Sequence, residues 1–300
     1  MAEPIFAKSL YCRPCLQRLY SRTSTRNLST SAPRRKHGAL SSFTPTTSPE
    51  LDALLSTFRT NIFLPAHLLK LQQNLIYRKK NRRLLTDTDE PATAKIGNEV
   101  HALKPLNRLT DEPSTSKSLA QMVELCKEGK DWVNMVPFLI ELKTAGRKVK
   151  GPQFEKMVRR MGEKGGLGVI IEMARRVEGT GMRLGELGIA REALWGAVMK
   201  YIRSERNEAA VQDAHKFIEA IWQLLSDERH VDRPATGKKA SDPKTHPEII
   251  GVLLWIRALK ASLLADNQDA DGTVKRAAEM VLAVWNRDEN KTNNNNTIGR

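Results

Sequence analysis

The sequence predicts an all-α protein, an array of antiparallel helical hairpins of the α-solenoid type, with one small β-hairpin near residues 92–103. Three observations predict it. The strong helix formers Ala, Leu, Glu, Lys and Arg dominate, while aromatics are only 5% of the chain; that mix favours helices over sheets. From Glu50, and again from Lys117 to Asn286, apolar residues recur three and four apart, the period of a helix burying one face. A pattern also returns after 35 residues, close to the length of one hairpin in a stacked helical array.

Residues 1–36 read as a mitochondrial transit peptide. Their basic residues are Lys8, Arg13, Arg18, Arg22, Arg26, Arg34, Arg35 and Lys36, and Glu3 is the sole acid. Arg-rich, Ser-rich and acid-poor is the composition of such a leader, and no continuous apolar run suits a secretory signal. The stretch Arg26-Asn27-Leu28-Ser29-Thr30-Ser31-Ala32-Pro33 resembles the processing signal of matrix precursors, which implies a mature start between Leu28 and Lys36. Cys12 and Cys15 have CxxC spacing, but a zinc site needs a second ligand pair that the sequence lacks. Three cysteines give no disulfide framework.

Residues 37–49, rich in Ser, Thr and Pro, read as linker. Residues 50–106 form an N-terminal helical segment, either a separate domain or a cap on the array. Leu51, Leu54, Leu55 and Phe58 mark its first helix; Pro65 opens a second, which ends in the cluster Arg78, Lys79, Lys80, Arg82 and Arg83. Gly97-Asn98 between short alternating runs signals a two-residue hairpin turn. Residues 107–116 are linker again. The repeat domain covers 117–286, with helices near 117–129, 131–145, 152–164, 167–178, 186–204, 207–226, 247–265 and 271–286. Residues 227–246 read as a mobile polar loop and 287–300, with four successive asparagines, as a disordered tail.

The repeat aligns Val136–Val149 with Ile171–Leu184, so that Gly146 matches Gly181; Phe154 and Ile189, also 35 apart, then open the following helices. The run Glu141-Leu142-Lys143-Thr144-Ala145-Gly146-Arg147-Lys148-Val149 resembles the end of the second helix in the pentatricopeptide repeat family. The family's usual Pro-Asp after the glycine is missing, and the likeness covers about residues 117–205. A generic array of helical hairpins has the same pattern. The resemblance implies RNA binding in an organelle. It also puts Lys156 and Arg191 where sequence-reading members carry Asn, Ser or Thr, so phosphate contact is expected rather than base reading.

The net charge of +15 points to an anionic partner. Between Lys143 and Arg183 eleven cations face four carboxylates. The expected nucleic-acid-binding residues are the 78–83 cations with Arg147, Lys148, Lys150, Lys156, Arg159, Arg160, Lys164, Arg175, Arg176 and Arg191. Lys156, Arg159, Arg160 and Lys164 share one helix face, where an ordinary solvated face is the rival explanation. The five tryptophans and Met157, Met161 and Met173 read as core. Neither a catalytic motif nor a Cys/His ligand set is present, so no cofactor, metal or small-molecule substrate is expected and the chain is read as non-enzymatic. No segment approaches the roughly 18 apolar residues of a membrane span. The expectation is a matrix RNA- or ribosome-binding factor acting in translation or mRNA maturation. The alternative is an assembly factor for a respiratory complex, leaning on the inner-membrane surface.

Overall fold

The computed structural model describes residues 39–86, 92–204, 207–231, 242–264 and 268–297. The expected leader lies outside the described residues. From Ala39 the chain clusters as one compact unit, with no boundary after residue 106. It is mostly helical with a small two-stranded sheet.

Residues 39–48 are not a loose linker but an extended strap laid on buried side chains of residues 131–141. Ser41, Thr44 and Thr47, three apart, each bond a buried side chain, as an extended chain with about three residues per turn allows. The Ser41 amide and hydroxyl both donate to Glu141 Oε1, at 3.0 and 2.7 Å. Those of Thr44 both donate to Asn134 Oδ1 at 2.9 Å, and Asn134 Nδ2 returns a bond to the Thr44 carbonyl. Thr47 donates its amide to Asp131 Oδ1 at 2.9 Å and its hydroxyl to Oδ2 at 2.7 Å. A Ser/Thr-rich run reads as linker by composition alone; here the same hydroxyls satisfy three buried polar groups.

Helix α1 (Pro49–Phe58) continues through a wide π turn (Arg59–Phe63) into α2 (Leu64–His67). The expected second helix at Pro65 is thus corrected to one that passes through it. The π turn sets the Leu64 amide on the Arg59 carbonyl, five residues back, immediately before the proline that has no N–H to give. The break falls instead at Leu68 and Leu69, both extended. Helices α3 (Lys70–Tyr77) and α4 (Arg82–Thr86) follow. Strands β1 (Thr93–Ile96) and β2 (Glu99–Ala102) pair antiparallel with Ile96 opposite Glu99, and Gly97 takes φ +60 at the turn, as the expected hairpin requires.

Then come α5 (Thr115–Leu125), α6 (Gly129–Trp132), α7 (Met135–Thr144), α8 (Gly151–Glu163), α9 (Leu167–Arg175), α10 (Val177–Thr180), α11 (Leu187–Arg203), α12 (Glu208–Leu224), α13 (Pro247–Leu264) and α14 (Thr273–Thr297). The two helices expected at 131–145 and 167–178 are each broken, at Val133-Asn134 and at Arg176. Helix α5 packs on α8 and α8 on α11, while α7 meets α9 and α10, and α9 meets α12. At the α8–α11 crossing, a Cβ on Gly162 would lie 2.8 Å from the Gly196 Cα; only glycines let the backbones approach so closely. Gly146 and Gly181, matched at the 35-residue offset, share left-handed φ values of 74 and 79 just past their helix ends.

The core is continuous from the strap to α13. Phe58 and Phe63 set their rings 4.9 and 5.5 Å from that of Phe138, which joins α1 and the π turn to α7. Trp132 is fully buried, as expected, but Trp195 is 52% and Trp285 64% exposed. The helical period places a residue on a face but does not say whether a neighbour covers it. The expected mobile loop is ordered at both ends: His230 is buried and its Nδ1 accepts the Leu184 amide at 3.2 Å, and Pro243 is buried. Residues 232–241 lie outside the described residues. The expected disordered tail from 287 is instead the continuation of α14 to Thr297. Between Gly272 and Gly299 no glycine or proline interrupts the helix once its first turns have packed.

Candidate nucleic-acid interface

The expected contact residues divide into two groups. Six are held by internal partners. Arg159 donates Nε to Glu192 Oε2 at 3.0 Å and Nη2 to Oε1 at 3.1 Å, and lies 3.4 Å from Glu155. Arg191 reaches the same two carboxylates. Arg160 bridges Glu163 at 3.0 Å and Glu124 at 3.5 Å. Lys164 donates to the Glu124 and Cys126 carbonyls at the end of α5, where a cation suits both the orphan carbonyls and the helix dipole. Arg147 pairs with Glu112, and Arg176 with Glu172 at 2.6 Å. The shared cationic face of α8 is therefore mostly an internal ion-pair network, and Lys156 is its exposed remainder.

Four of these eight ion pairs join residues 33–36 apart, close to the 35-residue offset in the sequence. Arg147 and Glu112 are 35 apart, Arg159 and Glu192 33, and the Lys143 ammonium meets the Glu178 carbonyl across 35. Counting charge within one segment misses this; a search for carboxylates 33–36 residues from each cation finds it.

The second group is exposed and makes no ion pair with a described carboxylate: Arg78, Lys79, Lys80, Arg82 and Arg83 on the turn from α3 to α4, and Lys148, Lys150, Lys156 and Arg175 further on. Five cations in six residues without internal partners repel one another and favour a polyanion that relieves them. The structure sets around a concavity beside this turn two residues the sequence reading passed over: Lys70 at the start of α3, and Arg108 in the Pro105–Asp111 loop on the other wall. Tyr77 stands in its wall under the Arg108 guanidinium. Burial and the nearby Glu112 push the Tyr77 phenol above its ordinary range, so it stays a neutral donor to Glu112.

Two buried carboxylates anchor the strap. Burial alone would raise the Asp131 carboxyl, but the Thr47 hydroxyl and amide and the Glu128 and Lys127 amides hold it down at about 2. Burial likewise opposes ionisation of Glu141, and hydrogen bonds from His67 and Ser41 more than offset it. The Cys126 thiol, buried and beside Asp131, is pushed up to about 12. Among the described residues no His/Cys/Asp/Glu group could hold a metal ion, and no helix is long and apolar enough to cross a membrane. An apolar groove of about 660 Å3 lies between α11 and α13, with Trp195 and Trp255 on its walls.

A mostly helical body, a strap fastened to it and an exposed cationic turn without ion pairs define the class: a basic helical protein in which neither a metal group nor a membrane-spanning helix is found among the described residues. A family model described as mitochondrial ribosomal protein mS27 matches residues 26–298. The chain belongs to that family. A curated relative, small ribosomal subunit protein mS27 of Neurospora crassa, is 29% identical over 218 residues, covering 72% of this chain and 54% of the relative. The chain spans about half the length of that relative. Membership places it among mitochondrial ribosomal proteins, in the mitochondrial matrix.

Proposed function

We propose that this chain is a non-catalytic component of the small subunit of the mitochondrial ribosome, held there by its unpaired cations against RNA phosphates. The single observation that carries the reading is the division of charge. Five arginines of the helical region, Arg147, Arg159, Arg160, Arg176 and Arg191, are held by carboxylates, whereas all five cations of residues 78–83, and Lys148, Lys150, Lys156 and Arg175, have no described carboxylate within ion-pair distance. Arrays that use charge for cohesion keep their remaining cations for a partner.

The finer architecture belongs to the same reading. The 35-residue offset, the matched left-handed glycines and the helix-on-helix stacking support a pentatricopeptide-like solenoid. Such an array need not read bases here. Arg191, at a position where sequence-reading members carry a base-contacting residue, is engaged by Glu155 and Glu192. Residues 1–36 serve as the leader in this reading; the family match begins at residue 26. The rival task, assembly of a respiratory complex, has no support from the family.

Gradient sedimentation of a mitochondrial lysate carrying the tagged chain tests this. The chain should travel with the small subunit and return to the top of the gradient after nuclease or high salt. A chain that stays at the top of an untreated gradient would overturn the reading.

A further inference from the structure

The concavity between the α3–α4 turn and the Pro105–Asp111 loop has a volume of about 760 Å3, inside the roughly 300–1,000 Å3 range of ordinary ligand sites. Lys70, Arg78, Lys79, Arg82 and Arg108 line it against one carboxylate, that of Asp111. That carboxylate is bonded first by its own loop, the Asn107 amide donating to Oδ2 at 2.8 Å and the Thr110 hydroxyl to Oδ1 at 2.7 Å, and the Arg82 charge acts on it from beyond ion-pair distance. The loop is tied to the opposite wall by the Leu106 amide, which donates to the Ile76 carbonyl at 2.9 Å. Both walls are thus preformed.

Arg108 differs from the other cations. Its Cζ sits 4.1 Å from the centroid of the Tyr77 ring, and the Tyr77 hydroxyl is fixed by Glu112 Oε1 at 3.0 Å. The Arg108 side chain is 66% exposed and only grazes Glu112, at 4.0 Å. A guanidinium backed by a ring on one side offers the other to a planar group. Nucleobases stack on such planes when they have left a helix; bases inside a duplex do not reach them.

We propose that this concavity holds a single-stranded RNA segment, one unpaired base stacked on Arg108 and the flanking phosphates on Arg78, Lys79 and Arg82. The proposal rests on the ribosomal reading above and gives it a point of contact. A concave site meets a flat lipid headgroup layer only at its rim, so RNA fits it better than a membrane.

Fluorescence anisotropy of the full chain tests it with a labelled ten-nucleotide oligouridylate, a labelled ten-base-pair RNA duplex and phosphatidylglycerol vesicles. Arg108→Lys keeps the charge and loses the plane. It should weaken the single strand about 5- to 150-fold, the worth of one stacked base, and the duplex less than about twofold. The triple variant Arg78→Ala, Lys79→Ala, Arg82→Ala should lower the slope of log K against log salt by about 2, at about 0.7 per single-strand phosphate. Unchanged melting curves show that both variants fold. Arg108→Lys binding the single strand as the parent does, an unchanged salt slope, or a triple variant that loses vesicles but keeps the oligonucleotide would each overturn the proposal. If the parent chain meanwhile travels with the small subunit, the ribosomal reading survives that failure; if it does not, both fall.

Discussion

Replacing Asp131 by Asn should release the strap, and the cost follows from its contacts. The Asp131 side chain is fully buried and accepts four bonds: the Thr47 amide and hydroxyl, and the Lys127 and Glu128 amides at 3.0 and 3.1 Å. Its carboxyl falls from 3.8 to about 2 on folding. That depression is worth about 2–3 kcal/mol. The Asn amide group turns a donor toward donors. The Thr47 hydroxyl can rotate to accept, but a backbone amide cannot, so a buried N–H goes unpaired at about 1–3 kcal/mol. The expected loss is about 2–4 kcal/mol. Urea unfolding followed by circular dichroism at pH 7 should show a midpoint about 1 M lower, for a slope near 3 kcal/mol/M. Hydrogen exchange at the Thr44 and Thr47 amides should accelerate in the same variant. Because the folded value is depressed, the parent's advantage is full above about pH 4 and is lost as pH falls through about 2. The stabilities of parent and variant should therefore converge over that window. A midpoint moved by less than about 0.2 M, with strap exchange unchanged, would refute the anchoring role.

Three further outcomes follow from the packing. Gly162→Ala should destabilise by about 1–3 kcal/mol, since the new methyl meets backbone 2.8 Å away; Gly168→Ala, with open space around it, should be neutral or gain up to about 1 kcal/mol in the same melts. His230 is buried with its Nδ1 accepting the Leu184 amide, and burial lowers its affinity for a proton. The unfolded chain then binds more protons just below pH 6.5, so stability should fall as pH drops through that value, and a His230→Gln variant should lose that slope in pH-dependent melts. Cys126, with its thiol raised to about 12, should resist maleimide at pH 7.5 in a Cys12→Ser, Cys15→Ser background and react fully in urea; rapid native labelling would contradict its burial.

The helical class, the hairpin and the helix ends at Gly146 and Gly181 were legible because period and turn chemistry are local. Gly97-Asn98 names its turn, and Gly146 and Gly181 name their helix ends, without reference to anything distant. The strap was illegible for the opposite reason. Ser41, Thr44 and Thr47 look like linker until their partners at 141, 134 and 131 are known, and those lie 84 to 100 residues away. The cleft was half legible. The 78–83 run announces itself by charge, but Arg108 reaches it only through the loop that the Leu106 amide pins to Ile76.

Pairing between distant residues also changes what a basic sequence signifies. A cation whose carboxylate lies 33–36 residues away is committed once the helices pack, as Arg159 is to Glu192. Such half-exposed pairs contribute little stability each, yet they decide which cations remain for a partner. Net charge counts both kinds alike. In Glu192→Gln the Arg159 and Arg191 guanidinia lose one of their two shared carboxylates, and Glu155 stays near both. If free cations are what RNA binds, that variant should bind polyanions more tightly than the parent at low salt and lose the gain as salt rises. Equal binding across that range would mean that pairing does not govern availability, and the division of charge would no longer identify the surface.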